Sequence, residues 1–174
     1  YLNISKHPSL IQEQINALSC YGNGQMQSAV FLSDLTTLQQ DCEAQFCEFL
    51  NYPSLLLTQS GWSANVGLIQ ALAQRHLPVY LDFYTHMSFW AGAKAANAKP
   101  IPFRHNDPES LINRIEKFGA GIIAVDSIYS TYGSISPLKD YAAIAKHYGC
   151  LLIVDESHSL GTHGPEGRGL VAAE

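Results

Sequence analysis

Short apolar runs alternate with longer segments of helical period along most of the chain. The runs are SLLLTQ (54–59), PVYLDF (78–83), GIIAVDS (121–127) and CLLIVD (150–155). Runs of this length, apolar at successive positions, are typical of strands that are buried on both faces. Between them, DPESLINRIEKFG and PLKDYAAIAKHYG each carry a proline near the start and a glycine at the end, which are helix boundary signals. The pattern predicts an α/β fold: a three-layer sandwich in which a mostly parallel sheet is covered by helices on both faces.

The N-terminal part of the chain has a different pattern. Residues 8–20 and 35–50 have helical period and are predicted to pack outside the sheet, with YGNGQMQS (21–28) as a loop between them. There are no repeats, low-complexity tracts or linkers. We therefore expect an N-terminal helical segment over residues 1–50 that leads directly into the sheet-forming part, residues 51–174.

Composition and charge narrow the classes of function. The chain has 174 residues, is 47% hydrophobic and carries a formal net charge of −5 with its lysines and arginines scattered, which argues against a nucleic-acid partner. No apolar run approaches the roughly 20 residues that cross a bilayer. The N-terminus lacks the sections of a signal peptide, so we expect a cytoplasmic protein without a membrane partner. The four cysteines form no C-x-x-C pair and are interpreted as small apolar residues.

The residues that follow the predicted strands are the candidates for function. In open α/β sheets, ligands bind beyond the carboxyl ends of the strands. Polar and glycine-rich segments follow all four predicted strands and are expected to converge on one site: 59–62, 83–86, 127–131 and 155–158.

Metal chemistry has weak support in these segments. LLIVDESH resembles a strand whose aspartate holds a magnesium ion beside a nucleotide, but the chain contains no Gly-Lys pair and hence no phosphate loop of that type. A zinc site from Asp155, His158 and His163 would rest on one poorly spaced triplet in a glycine-rich loop. We therefore expect no metal site.

A phosphorylated pyridine fits the same segments better. Gly61 and Trp62 begin a predicted helix, whose free amides and dipole favour a phosphate, although a plain strand-to-helix turn gives the same residues. His86 can lie against an aromatic ring, and its alternative is a structural histidine. Ser127 is either a contact or a turn serine. Asp155 would keep a pyridine nitrogen protonated, which makes the ring a better electron sink, and His158 would contact the phenolic oxygen.

Several motifs, in order along the chain, resemble those of the α-oxoamine synthases, which are pyridoxal-phosphate enzymes of fold type I. SGWSAN is similar to the family's Ser-Gly-x-x-Ala-Asn, and HMS to its His-Ala-Ser. DSIYSTYGSISPL is similar to its Glu/Asp-Ser motif that ends in Pro-Leu, and VDESHSLGTHGPEGRG to its Asp-x-x-His followed by spaced glycines. The resemblance implies that residues 51–174 are the first part of the aspartate-aminotransferase-like large domain.

The resemblance also implies roles for single residues. The cofactor would be pyridoxal 5'-phosphate, with Asp155, His158 and His86 as catalytic residues. The full set of cofactor contacts would be Gly61, Trp62, His86, Ser127, Asp155 and His158. The implied reaction joins an amino acid to an acyl-CoA thioester and gives an aminoketone, and the implied assembly is a homodimer.

Departures from the family pattern narrow the resemblance. GNGQMQSAVF stands at the family's Gly-rich stretch, and Thr131, Tyr132 and Ser134 replace a methionine and two acids. Together with TQSGW and HMSFW, they make the chain most similar to quorum-sensing autoinducer synthases, which use a fatty acyl-CoA and a small amino donor on the way to an α-hydroxyketone. The alternatives are an 8-amino-7-oxononanoate synthase, a glycine C-acetyltransferase, or a non-catalytic partner subunit.

The family's Schiff-base lysine follows the Asp-x-x-His motif by a few dozen residues. Five lysines precede Asp155 outside that context: Lys94, Lys99, Lys117, Lys139 and Lys146. We therefore expect the printed chain to be truncated before this lysine, and to be inactive by itself.

Overall fold

The computed structural model describes residues 2–22, 36–73 and 76–174, which divide into two compact units at Leu57 and Thr58. The first unit contains α1 (Pro8–Tyr21) and α2 (Thr36–Leu50), so both predicted helices are confirmed. Most of the predicted loop between them lies outside the described residues. The packing predicted for these helices and the domain boundary after residue 50 stay predictions. No helix in the described ranges is long and apolar enough to cross a membrane.

The second unit is an α/β sandwich around a four-stranded parallel sheet. Its strands are β1 (Pro78–Asp82), β2 (Lys99–Phe103), β3 (Ile122–Asp126) and β4 (Leu151–Asp155), in the order β2-β1-β3-β4. Its helices are α3 (Gly61–Leu72), α4 (Met87–Ala95), α5 (Pro108–Phe118) and α6 (Leu138–Tyr148). The predicted fold class is confirmed.

The two faces of the sheet bury separate hydrophobic clusters, which gives the predicted three layers. On one face, Val79 and Ala124 pack with Ile69 of α3 and Phe89 of α4. On the other face, Tyr80, Ile123 and Val125 pack with side chains of α5 and α6, among them Leu111, Ile115, Leu138 and Tyr141. Successive strand residues thus alternate between two cores, and for this reason the runs are apolar at every position.

The connections reverse direction between β1 and β3. From β1 the chain passes through α4 on one face, and from β3 it passes through α6 on the opposite face. Right-handed crossovers require this change of face when the strand order changes direction. The two connections separate beyond the carboxyl ends of β1 and β3, which opens a crevice at that edge of the sheet.

Helix boundaries follow the predicted signals. The Asp107 carboxylate accepts a hydrogen bond of 2.8 Å from the Ser110 amide and caps α5, with Pro108 in the first turn. Gly149 ends α6 with a φ of 67°, in the left-handed region that glycine adopts without strain.

The strand predicted over residues 54–59 is wrong. These residues form no strand in the structure, and Leu56 is 77% exposed. A strand requires a neighbour that completes its hydrogen-bond ladder, and within the described residues the four strands of the sheet pair only with one another. Apolar character alone does not reveal whether such a neighbour exists.

The sequence interpretation also missed β2, whose residues KPIPF contain two prolines. The strand lies at the edge of the sheet and pairs only with β1. The Lys99 amide donates to the Leu77 carbonyl at 2.9 Å, so every second residue from Lys99 directs its amide towards β1. Pro100 and Pro102 fall on the alternate positions, where a missing N–H removes no ladder bond.

Candidate active site

A small cavity of about 100 Å³ opens at the carboxyl edge of the sheet, on the side of α3 and α4. Its walls come from the start of α3, the residue before α4, and the ends of β3 and β4. Three of the four predicted strand-end segments therefore meet, since the lining residues are Gly61, Trp62, His86, Asp126, Asp155, Ser157 and His158. The fourth segment, 127–131, contributes no lining residue.

Asp155 is the last residue of β4, and both of its carboxylate oxygens accept hydrogen bonds. Asn65 donates to Oδ2 at 2.7 Å, and the Ser157 amide donates to Oδ1 at 2.9 Å. The backbone is fixed as well, because the Ser127 amide and hydroxyl both donate to the Asp155 carbonyl, at 2.8 and 3.0 Å. These bonds fix both the side chain and the backbone of Asp155, so the cavity contains an oriented carboxyl group.

The amino end of α3 forms the opposite wall. Ser60 is the N-cap, and its hydroxyl accepts from the Ser63 amide at 3.1 Å. The amides of Gly61 and Trp62 belong to the first turn, which has no acceptors within the helix. A Cβ added to Gly61 would lie 3.7 Å from Ser157 Oγ, an ordinary contact distance, so α3 begins directly beside the 155–158 segment. Such a helix start attracts anions.

His86 is the N-cap of α4, and its ring lies beside that of Trp62. The two ring centroids are 5.8 Å apart in an edge-to-face arrangement. The His86 Nδ1 atom is 2.7 Å from Ser88 Oγ and also accepts from the Ser88 amide at 3.4 Å. The ring therefore has a defined position at the mouth of the cavity before any ligand binds.

Asp126, the last residue of β3, is a lining residue that the sequence interpretation missed. Thr85 Oγ1 and the His86 amide donate to its Oδ1, at 2.6 and 3.2 Å, so it fixes the segment that carries His86. Burial raises the pKa of Asp126, the two hydrogen bonds lower it, and the nearby Asp155 charge raises it further, with a net upward shift. Its position at a strand end, directly before Ser127, was the available signal.

Two predicted contacts have different environments. Ser127 is fully buried, and its hydroxyl is 2.8 Å from Ser159 Oγ in addition to its bond to the Asp155 carbonyl. It therefore supports Asp155 from behind, and its predicted contact to the cofactor stays a prediction. His158 lines the cavity, and Thr162 Oγ1 donates to its carbonyl at 3.0 Å. His158 thus lines the same cavity as Asp155, and its predicted contact to the cofactor stays a prediction.

A second polar cluster lies at the ends of β1 and β2. Asp82, fully buried, accepts from His105 Nδ1 at 2.8 Å, and His105 Nε2 is 2.8 Å from Ser134 Oγ. These three residues follow or end different strands, so their bonds connect three loops at one edge of the sheet. A cavity of about 380 Å³ lies beside them and contains Arg104 and Arg114, but none of the predicted site residues.

The potential zinc ligands do not converge. Asp155 and His158 share the small cavity, whereas the His163 ring is exposed and its Nδ1 is 2.9 Å from Thr162 Oγ1. Across the described parts of the chain, no three His, Cys, Asp or Glu side chains are grouped as a metal ion would require.

The sequence matches the family described as aminotransferase class I and II over residues 8–174. The chain belongs to this family. Its sequence is similar to those of α-oxoamine synthases, as its motifs indicated: it is 45% identical to the CAI-1 autoinducer synthase of Vibrio campbellii over 99% of the chain. It is 33% identical to the serine palmitoyltransferase of Sphingomonas paucimobilis over 100% of the chain. These alignments cover 44% and 42% of the two relatives, so the chain spans less than half of their length.

Solved structures agree with this assignment. A variant of the S. paucimobilis serine palmitoyltransferase, with a bound PLP–myriocin aldimine, superposes with a TM-score of 0.93 at 32% identity. The superposition covers 99% of this chain and 44% of that protein. The fold is therefore that of the fold type I enzymes.

The cofactor of this family is pyridoxal 5'-phosphate, as predicted, and the cavity fits it. Asp155, whose carboxylate has a fixed orientation, would hold the ring nitrogen, and the amides at the start of α3 would hold the phosphate; both roles stay predictions. A second acidic residue, Asp126, lines the same cavity. Among the described residues, no lysine lines this cavity, and the position of the Schiff-base lysine stays a prediction.

Proposed function

We propose that the complete protein is a pyridoxal-phosphate-dependent acyltransferase. It would condense a fatty acyl-CoA with a small amino acid to an aminoketone, the precursor of an α-hydroxyketone quorum-sensing signal. The observation that carries this proposal is the convergence of Asp155, His158 and His86 with the start of α3 on one cavity. The support for the signal-forming branch is the 45% identity to an autoinducer synthase over nearly the whole chain.

The residues of the cavity have distinct tasks in this proposal. The bound cofactor supplies an electron sink for the carbanion that forms at the amino acid's α carbon. Asp155 keeps the ring nitrogen protonated, which strengthens that sink. His86 would lie against the ring, and His158 would contact its phenolic oxygen. Gly61 and Trp62 bind the phosphate through backbone amides.

The test uses the complete protein loaded with pyridoxal phosphate. Acyl-CoA substrates of increasing chain length are paired with glycine, alanine, serine and 2-aminobutyrate, and release of free CoA and product mass are measured. We expect CoA release that depends on both substrates, and a product whose mass is that of an aminoketone. CoA release without an amino donor would indicate a thioesterase and would contradict the proposal.

Asp155→Asn tests the cofactor assignment directly. The amide keeps the shape of the side chain but removes the charge that protonates the ring. We expect condensation to fall at least hundredfold, about 2.7 kcal/mol of barrier at roughly 1.4 kcal/mol per tenfold. The melting temperature of the cofactor-free protein should change little. Near-normal turnover by Asp155→Asn would show that the cofactor assignment is wrong.

A second candidate is a synthase of the same family with other substrates. The support for it is the equally complete match to serine palmitoyltransferase, with a TM-score of 0.93 for the solved variant. Product mass with each amino donor separates the two candidates. A partner subunit without catalysis, the remaining alternative, would release no CoA with any pair.

We also propose that the complete protein is a cytoplasmic homodimer. The resemblance to the α-oxoamine synthases supports this proposal. Light scattering on the purified complete protein measures the mass, and a strict monomer would contradict the dimer.

A further inference from the structure

A buried hydrogen-bond chain behind the cavity joins Asp155 to His86. Asn65 Nδ2 donates to Asp155 Oδ2 at 2.7 Å and to Ser88 Oγ at 3.0 Å, and Ser88 Oγ is 2.7 Å from His86 Nδ1. Asn65 is 9% exposed and Ser88 is fully buried. Neither is among the residues that line the cavity. The two proposed cofactor contacts are therefore connected through groups that a ligand would not touch.

The donors and acceptors in this chain can be assigned. The Asn65 amide has two N–H bonds, and both are used, one on Asp155 and one on Ser88. The Ser88 hydroxyl oxygen lies 2.7 Å from His86 Nδ1, within hydrogen-bond distance. The Ser88 amide approaches the same nitrogen at 3.4 Å. Nδ1 of His86 is thus an acceptor, and the ring proton lies on Nε2.

Close packing of α3 against α4 brings the residues of this hydrogen-bond chain within reach of one another. A Cβ at Gly92 would lie 3.0 Å from Ile69 Cβ and 3.2 Å from Val66 Cα. Only glycine allows so short an approach, and this approach brings Asn65 of α3 within hydrogen-bond distance of Ser88 of α4. Asn65 follows the cofactor-facing Gly61 by one helical turn, so its side chain lies on the same side of α3.

We propose that Asn65 is a positioning residue for two cofactor contacts at once. Its amide holds the Asp155 carboxylate in one orientation. Through Ser88, the same amide fixes the tautomer and the rotation of His86. The cofactor would therefore meet an anion and an imidazole that are already oriented relative to each other. This inference rests on the proposed function, because it takes the cavity as the pyridoxal-phosphate site.

The experiment measures cofactor binding and not only turnover. In the complete protein, Asn65→Ala removes both bonds, Asn65→Asp keeps the shape but loses both N–H groups, and Ser88→Ala breaks only the link to His86. Gln70→Ala is the matched control, since Gln70 is an exposed amide on the same helix. Pyridoxal phosphate affinity is measured by fluorescence titration, and ring orientation by visible circular dichroism of the bound cofactor at saturation.

We expect Asn65→Ala to raise the dissociation constant of pyridoxal phosphate at least tenfold and to reduce the dichroic signal of the bound cofactor. Asn65→Asp should be worse, because it places a second carboxylate against Asp155. Ser88→Ala should raise the constant by a smaller factor and still reduce the signal. Gln70→Ala should match the unchanged protein in both measurements.

The outcomes separate this inference from the proposed function. If the unchanged protein binds the cofactor and Asp155→Asn impairs catalysis, but Asn65→Ala binds it with normal affinity and signal, the positioning role is overturned and the proposed function stands. A lower melting temperature with an unchanged dichroic signal would reduce Asn65 to a structural role and overturn it too. If Asn65→Ala does not fold, an unchanged signal in Ser88→Ala overturns it. An unchanged protein that binds no pyridoxal phosphate overturns the proposed function itself.

Discussion

Asp126 ends its strand beside a second carboxylate, Asp155, and its charge is costly there. Burial and the Asp155 charge raise its pKa, so the folded state holds its proton to a higher pH than the unfolded state does. The contribution of Asp126 to the free energy of unfolding is therefore complete at low pH, below the pKa of the unfolded state. It is lost as the pH rises through the raised pKa of the folded state. The same carboxylate accepts hydrogen bonds from Thr85 Oγ1 and the His86 amide, and these bonds orient both groups.

Asp126→Asn tests this charge. The amide oxygen can still accept from Thr85 and His86, while the charge is removed. We expect a higher melting temperature than that of the unchanged protein near pH 7, with a gain that shrinks towards about pH 4, the ordinary range of an aspartate pKa. Thermal unfolding of the cofactor-free protein across pH measures it. Glu13→Gln, which removes an exposed charge on α1, should show no such trend, and an equal gain at all pH values would contradict the account.

His86 allows its roles as helix cap and as ring contact to be separated. His86→Ala removes both the ring and the acceptor for the Ser88 amide, and a lost cap costs about 1 kcal/mol of stability. His86→Asn keeps a short acceptor and removes only the ring. We expect both variants of the complete protein to lose pyridoxal phosphate faster on dilution, and only His86→Ala to melt at a lower temperature. Normal cofactor retention in His86→Asn would assign His86 to the cap alone.

The sequence predicted the residues that line the cavity better than those behind it. These predictions rest on a general rule, that ligands bind beyond the carboxyl ends of parallel strands. The residues that the rule found end or follow a strand, or begin a helix: Asp155, His158, His86, Gly61 and Trp62. Asn65 and Ser88 lie inside helical segments, where a polar residue usually faces solvent. Their inward direction depends on how closely α3 and α4 pack, and no local pattern states that distance.

At the scale of elements, one close helix contact supports the site. Gly92→Ala forces α4 away from Ile69 and Val66, and overpacking of this kind costs about 1–3 kcal/mol. The better helix propensity of alanine offsets up to about 1 kcal/mol of this loss of stability. We expect a net loss of stability together with weaker pyridoxal phosphate binding, because the Asn65–Ser88 bond lengthens.

Gly67 on α3 provides the matched control for this prediction. A Cβ there would meet nothing within 4 Å, so Gly67→Ala should keep only the propensity gain and raise the stability slightly. Denaturant unfolding of both variants measures the difference. Equal stability of Gly92→Ala and Gly67→Ala would show that the contact between α3 and α4 is not as close as the structure has it.

Two segments show where the sequence pattern mispredicts strands. KPIPF contains two prolines and was not predicted as a strand, yet its prolines fall on the outward positions of β2. SLLLTQ is apolar and was predicted as a strand, yet Leu56 lies exposed. Both errors have the same cause: strand formation depends on the neighbour across the ladder, which a single segment does not encode.

At the scale of the whole molecule, two surface properties act in opposite directions on association between copies. Exposed apolar groups favour association, and the net negative charge opposes it. Leu56 is 77% exposed and Leu151, on the outer strand β4, is 46% exposed, while α1 exposes Ile15 and Leu18. Apolar surface of this kind and an open strand edge favour association between copies. The net charge of −5 works against it, but charge is screened beyond about 10 Å at 0.1 M salt.

We therefore expect the 174-residue polypeptide to associate at tens of micromolar in 0.15 M salt, and more strongly as salt increases, because screening removes the repulsion while the apolar contacts remain. Sedimentation velocity measures the size distribution. Replacing Leu56 and Leu151 together by lysine should shift the distribution towards monomer, whereas Gln70→Lys, a charge change that removes no apolar group, should shift it much less. A single monomeric species at every salt concentration would show that these apolar groups do not drive association, and an equal effect of Gln70→Lys would assign the change to charge alone.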